Sequence, residues 1–311
     1  MVGPLLYIPS LNEKAADKIV NHKFNCLTSC CFCLEDTIID GALETAENTL
    51  YNTLKKISIM PSNERPLIFV RIRTPEHLLH IYKKFNDVQN IITGYILPKF
   101  DLSNAEDYAY IIKDINSDST KKITYFMPIL ESRMIADVCT RVGTLQKLKE
   151  IIDTINEYIL NIRIGGNDFC NIYGLRRNIN QTIYDINVIK DIITDIINVF
   201  SFDYVISGPV WEYFYKNNSN NKWAEGLKRE LDLDILNGII GKTCIHPSQV
   251  PIIYNSLKVT KEDYDDACKI LDWKSNNLAV SKSISSRMNE VKCHIKWATK
   301  IKTLGDIYGI Q

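Results

Sequence analysis

The sequence predicts a (β/α)8 barrel followed by a helical C-terminal extension. Three observations carry that expectation. Short β-type runs alternate with helical stretches eight times along the chain, and repeated β-then-α units imply parallel strands joined by crossover helices. The runs are continuously apolar rather than alternating, as in strands covered on both faces. Eight units over roughly 250 residues suit a closed barrel better than an open doubly wound sheet, which is the alternative.

The runs follow in order. "LLYIP" (5–9) precedes the helical "NEKAADKIVNHK", and "CCFCLED" (30–36) precedes "GALETAENTLYNTLKKI". "PLIFVRIR" (66–73) leads into "PEHLLHIYKKF", and "ITGYILPK" (92–99) into "SNAEDYAYIIKDI". "ITYFMPILE" (123–131) is followed by helical text to residue 158, and "ILNIRIGG" (159–166) by helical text to Val199. "FDYVISGP" (202–209) precedes a polar insert, "KNNSNNKW", and then "AEGLKRELDLDIL"; "GIIGKTCIHP" (238–247) is the eighth run. The barrel is expected over 1–258. Residues 259–311 are helical and polar and read as a lid, an arm or an oligomer contact.

Composition narrows the function classes. Lys plus Arg equals Asp plus Glu at 37 each, which leaves no electrostatic footprint for nucleic acid or an anionic membrane. No apolar run reaches the roughly 18–20 residues of a membrane helix. The opening "MVGPLLYIPSLNEK" lacks a charged n-region and a cleavage site, so a cytoplasmic protein is expected. Cys30, Cys31 and Cys33 are too close for a zinc site and alternate along a strand-like run. They read as small buried hydrophobes.

In such a barrel the chemistry gathers at the C-terminal ends of the strands. Run two ends in Glu35 and Asp36; run three carries Arg71 and Arg73; run four ends in Lys99, with Asp101 just beyond. Run five ends in Glu131, run six in Gly165, Gly166 and Asp168, and run eight in His246. Charges are common near strand ends, so one or two would carry no argument. Six of eight runs ending in an ionisable side chain point to an active site.

The residue types suggest the chemistry. Glu131 and Asp168 come from adjacent strands without cysteines or paired histidines. Hard oxygen ligands suit Mg²⁺ or Mn²⁺, which keeps several waters and takes one or two carboxylates plus substrate. Either acid could instead cap the following helix. Gly165 and Gly166 permit close approach of a ligand or serve only a turn, and they form neither a GxGxxG nor a Walker loop. Arg71 can clamp a carboxylate bidentately. Lys99 could form a Schiff base only with a depressed pKa, and its acidic company argues against that.

The ordered set "LYIPSLNEKAADK", "CLEDTI", "VRIR", "LPKF-D", "ILES", "IGGNDF" and "GKTCIHPSQV" resembles the HpcH/HpaI aldolase and citrate lyase β-subunit superfamily over residues 5–270. The overall pattern resembles its divergent bacterial C–C bond lyase branch. The resemblance implies a TIM barrel, Mg²⁺ held by Glu131 and Asp168, substrate carboxylate binding at Arg71, and a homotrimer or homohexamer. It also carries over Glu35, Asp36 and Lys99 as rim residues. Departures stand at Cys33 and Arg73, where the family has Asp and Asn, and at Asp101, where it has Glu. The implied activity is Mg²⁺-dependent cleavage or formation of a C–C bond in an oxo- or hydroxy-acid through an enolate. Glu35 or Asp36 would transfer the proton. Two alternatives remain open: phosphoenolpyruvate-type chemistry with Arg73 on a phosphoryl group, and a non-catalytic subunit of a larger complex.

Overall fold

The computed structural model describes residues 2–215, 221–274, 278–283 and 287–311. Most of the insert "KNNSNNKW" lies outside them. Eight strands pair in one parallel sheet: β1 Pro4–Pro9, β2 Ser29–Cys33, β3 Leu67–Arg71, β4 Ile92–Leu97, β5 Tyr125–Leu130, β6 Ile162–Ile164, β7 Ile206–Ser207 and β8 Lys242–Cys244. Their order in the sheet is β7-β6-β5-β4-β3-β2-β1-β8. A bridge between Gly208 and Lys242 brings the two outer strands together and closes the barrel. The helices between strands are α1 Ala15–Val20, α2 Leu43–Ser58, α3 Pro75–Lys84, α4 Ala105–Ile115, α5 Arg133–Ala136, α6 Val138–Asp153, α7 Gly166–Ile172, α8 Asn187–Phe200 and α9 Lys222–Leu236.

Local chemistry explains where these helices begin. The Thr74 side chain accepts the His77 N–H and Pro75 opens α3, so one free donor is satisfied and one is absent. Asp137 accepts the Cys139 N–H at the start of α6. Ile189, Ile192, Ile193, Ile196 and Phe200 are buried along α8, the stripe by which a helix covers a sheet.

Strand parity divides the core in two. Cys30, Phe32 and Leu34 join the layer between barrel and helices. Leu5, Cys31, Phe69, Ile96, Met127 and Ile129 fill the barrel interior. Cys30, Cys31 and Cys33 are all buried. Burial pushes the Cys30 thiol up to about 12 and raises Cys31 well above the ordinary thiol range. This environment matches their reading as small hydrophobes.

The strands are shorter than the apolar runs. β2 stops at Cys33, β4 at Leu97 and β6 at Ile164. Glu35, Asp36 and Lys99 therefore stand on loops just past strand ends. Asp168 is in the first turn of α7 rather than at a strand terminus.

The chain divides into two compact units, Met1–Ile253 and Tyr254–Gln311. Across the end of the first and the start of the second runs α10, Val250–Ser256. The second contains α11 Lys261–Leu271, a hairpin of β9 Val280–Lys282 and β10 Met288–Glu290, and α12 Val291–Tyr308. Ala267 and Ile270 pack with Ala298, and Arg287 pairs with Asp263 and Asp266 at 2.8 and 2.9 Å.

Candidate active site

A cavity of about 210 Å³ is lined by Tyr7, Asp36, Arg71, Glu131, Arg163, Gly165, Gly166, Asp168 and Thr243, among others. Its walls come from β1, β3, β5, β6 and β8 and from the loops that follow β2, β5, β6, β7 and β8. A larger hollow, about 560 Å³, is lined by Lys149, Asp153, Asp203 and Tyr204. None of the rim residues singled out in the sequence lines it.

Arg71, the last residue of β3, is the hub. Its Nη2 lies 2.9 Å from Glu35, 3.1 Å from Asp36 and 3.6 Å from Glu131. Lys99 adds a second cation, with Nζ 2.5 Å from Glu35 and 3.3 Å from Asp36. Lys99 has a φ of 48°, a left-handed conformation uncommon for a residue with a side chain. The Asn104 amide holds the Lys99 carbonyl at 2.9 Å, and the Lys99 N–H donates to Glu131 Oε1 at 2.8 Å. The unusual backbone thus supplies a donor to a buried carboxylate.

Glu131 is 4% exposed. Burial, reinforced by the nearby Asp168 carboxylate against the pull of Arg71, pushes its carboxyl up to about 8. Burial also raises Glu35. Burial alone would raise Asp36 too, but hydrogen bonding to Glu35 and the charges of Arg71 and Lys99 outweigh it and hold Asp36 below the ordinary value. Lys99 is raised, because Glu35 and Asp36 overcome the effect of burial.

The structure thus brings together Glu35, Asp36, Arg71, Lys99, Glu131 and Asp168. It separates others. Arg73 does not line the cavity; its guanidinium pairs with Asp40 and donates to the carbonyls of Leu34 and Ile38. It fastens the loop that carries Glu35 and Asp36. Asp101 accepts from Ser103 within its own turn. His246 caps the turn at Pro247–Gln249 and stacks on Phe214.

Gly165 and Gly166 are closely packed. A Cβ on Gly165 would lie 2.1 Å from Glu131 Oε2, and one on Gly166 would lie 2.7 Å from Pro209 Cβ. Both line the cavity, and the absence of a side chain at each makes room for Glu131 and Pro209. Arg163, Tyr7 and Thr243 were not singled out in the sequence. For Arg163 a signal existed: it is the lone charge inside the apolar text "ILNIRIGG".

A parallel eight-stranded barrel with acids and cations gathered at the C-terminal ends of its strands is the build of a TIM-barrel enzyme. A family model described as C-C bond lyase of the TIM-barrel fold matches residues 1–310. The chain belongs to this family, and it is a carbon–carbon lyase. Among solved structures it resembles CitE from Mycobacterium tuberculosis in complex with magnesium, acetoacetate and coenzyme A, at 14% identity and a TM-score of 0.60 over 98% of each chain. It resembles the magnesium/glyoxylate complex of Haloferax volcanii malate synthase at 11% identity and a TM-score of 0.63, over 83% of this chain and 76% of that one. RipC from Yersinia pestis aligns at 12% identity and a TM-score of 0.56, over 84% of this chain and 97% of that one. At these identities the likeness is one of fold. A search of curated protein sequences finds no match.

Proposed function

We propose that the protein makes or breaks a carbon–carbon bond in a small oxo- or hydroxy-acid, with Mg²⁺ held by Glu131 and Asp168. One observation carries this reading. A buried carboxylate faces a second carboxylate at the cavity wall, and a glycine is required beside it so that it fits. Two acids so placed repel unless a proton or a cation lies between them. No group of three or more His, Cys, Asp and Glu ligands occurs among the described residues. Two carboxylates plus water and substrate oxygens is the set Mg²⁺ commonly takes. The magnesium complexes of CitE and malate synthase with acetoacetate and glyoxylate support the same reading.

Bound there, the cation would place positive charge beside an oxygen on which an enolate develops. The protein's own residues do the rest. Arg71 orients the substrate carboxylate and, being surrounded by acids, is itself held in place. The environments of Glu35 and Asp36 push their affinities for a proton apart, upward at Glu35 through burial and downward at Asp36 through its hydrogen bond to Glu35 and the charges of Arg71 and Lys99, which suits the pair to proton transfer. Lys99 stays an ammonium and supplies charge rather than a Schiff-base nucleophile. The phosphoryl alternative drew on Arg73, and that guanidinium is occupied by the loop it fastens.

Calorimetry tests the reading. Asp168→Ala should lose Mg²⁺ binding. Arg71→Lys keeps the charge but not the planar fork; it should bind Mg²⁺ normally and pyruvate more weakly. A hydrogen bond to a charged group is worth about 1.5–3 kcal/mol, or roughly one to two decades of affinity. Unchanged Mg²⁺ affinity in the first variant, or unchanged pyruvate affinity in the second, would refute it.

A further inference from the structure

Arg163 sits on β6 between Ile162 and Ile164. Both isoleucines pack into the layer between barrel and helices, so alternation turns Arg163 toward the barrel interior. It is 2% exposed. Its Nη1 donates to Ser207 Oγ of β7 at 3.3 Å and its Nη2 donates to Thr243 Oγ1 of β8 at 2.7 Å. Both partners are neutral. The Ser207 hydroxyl itself donates to the Ile240 carbonyl at 3.2 Å.

The other buried arginines have a carboxylate partner. Arg71 has Glu35 at 2.9 Å, Arg141 has Asp195 at 3.0 Å and Arg177 has Glu230 at 3.0 Å. Arg163 forms no ion pair among the described residues. Tyr7, Cys31 and Cys244 are close enough to feel its charge. Burial raises all three above their ordinary values, Cys244 to about 12, so they stay neutral. A guanidinium cannot shed its proton to escape burial, and a buried charge without a counter-ion is costly. Yet Arg163 lines the same cavity as Arg71, Glu131 and Asp168. A ligand entering that cavity can bring the anion the protein does not provide.

We propose that Arg163 is a second anion receptor and that the substrate is a small dicarboxylate, with one carboxylate at Arg71 and the other at Arg163. The first anchor rests on the proposed function; the second stands on the burial and pairing of Arg163. The planar fork matches a carboxylate, and the hydroxyls of Ser207 and Thr243 fix its plane without neutralising it. The cavity, about 210 Å³, suits a small acid.

The test compares acetate, malonate, succinate and inorganic phosphate by calorimetry, at saturating Mg²⁺, on the wild type and Arg163→Met. The wild type should prefer the better of malonate and succinate over acetate by at least about tenfold, a decade of affinity. In Arg163→Met that ratio should fall to near one. Without ligand, Arg163→Met should unfold at a higher temperature than the wild type, because an unpaired buried charge is gone. The proposal is overturned by an unchanged ratio, by a wild type with no preference, or by a variant that melts lower or does not fold. Tighter binding of phosphate than of either dicarboxylate overturns the carboxylate assignment. Arg163→Lys gives a second reading: it retains charge without the fork, and an undiminished preference there counts against the proposal. The ratio is read within one protein. Normal Mg²⁺ binding by Asp168→Ala would therefore sink the metal reading without touching this one.

Discussion

Stability and chemistry pull in opposite directions at Glu131. Its carboxylate is buried, faces Asp168, and is compensated by the Lys99 N–H at 2.8 Å and by Arg71 at 3.6 Å. Its pKa is raised from 4.5 to about 8. The folded metal-free protein therefore holds this proton more tightly than the unfolded chain does. The associated stability is present in full below pH 4.5 and is lost as pH rises through about 8. Glu131→Gln removes the charge and keeps the shape. Without metal it should raise the melting temperature, and the gain should grow between pH 5 and roughly pH 9. Mg²⁺ at about a hundred times its Kd should stabilise the wild type by about 2.7 kcal/mol and the variant hardly at all. Thermal melts with Mg²⁺ or with a chelator, across that pH range, check both. A lower metal-free melting temperature in the variant would show that Glu131 supports the fold rather than strains it.

At the scale of elements, the loop between β2 and α2 carries two of the rim acids and is held by one side chain. Arg73 reaches from beyond β3 to the Leu34 and Ile38 carbonyls and to Asp40. Arg73→Ala should cost about 2 kcal/mol in chemical denaturation, and it should loosen Glu35 and Asp36 without removing any group from the cavity. Lyase activity should fall while Mg²⁺ affinity holds; full activity in a destabilised variant would show that the loop needs no such anchor. The sequence put Arg71 and Arg73 on one run, and residues two apart share a face while a strand lasts. That rule lasts only as long as the strand, and β3 ends at Arg71. Lys99 shows the same limit. "LPK" announced the lysine, but nothing in the text announced its φ of 48° or the N–H this turns toward Glu131.

Across the whole molecule, the barrel was legible because eight apolar runs separated by amphipathic helices leave few other ways to cover both faces of every strand. The placing of Glu131 and Asp168 on adjacent strand ends was legible because barrel closure brings those ends to one rim; the pairing of Arg71 with Glu35 was not, because nothing in the text says which rim acid a rim arginine reaches. Arg163 stood out in the text only as the lone charge of an apolar run, and what it faces is known only from its neighbours across the sheet. Those neighbours lie where the barrel is least laced. β6, β7 and β8 have 3, 2 and 3 residues. β7 meets β8 through hydrogen bonds of Gly208 to Gly241 at 3.0 Å and Ile240 to Ile206 at 2.8 Å. Buried charges flank this seam, with Lys242 2.9 Å from Glu230 and 2.7 Å from Asp234.

A ladder so short breathes before longer ones do. In the empty protein the amide hydrogens of 205–208 and 240–244 should exchange with solvent sooner than those of β1 to β4; uniform protection around the barrel would contradict this. The guanidinium of Arg163 touches both sides of the gap, through Ser207 and Thr243. An anion that immobilises it would act as a clasp on the hoop. Occupancy of the cavity would then be legible from the rear of the barrel wall, as slower exchange in strands that carry none of the acids of the rim.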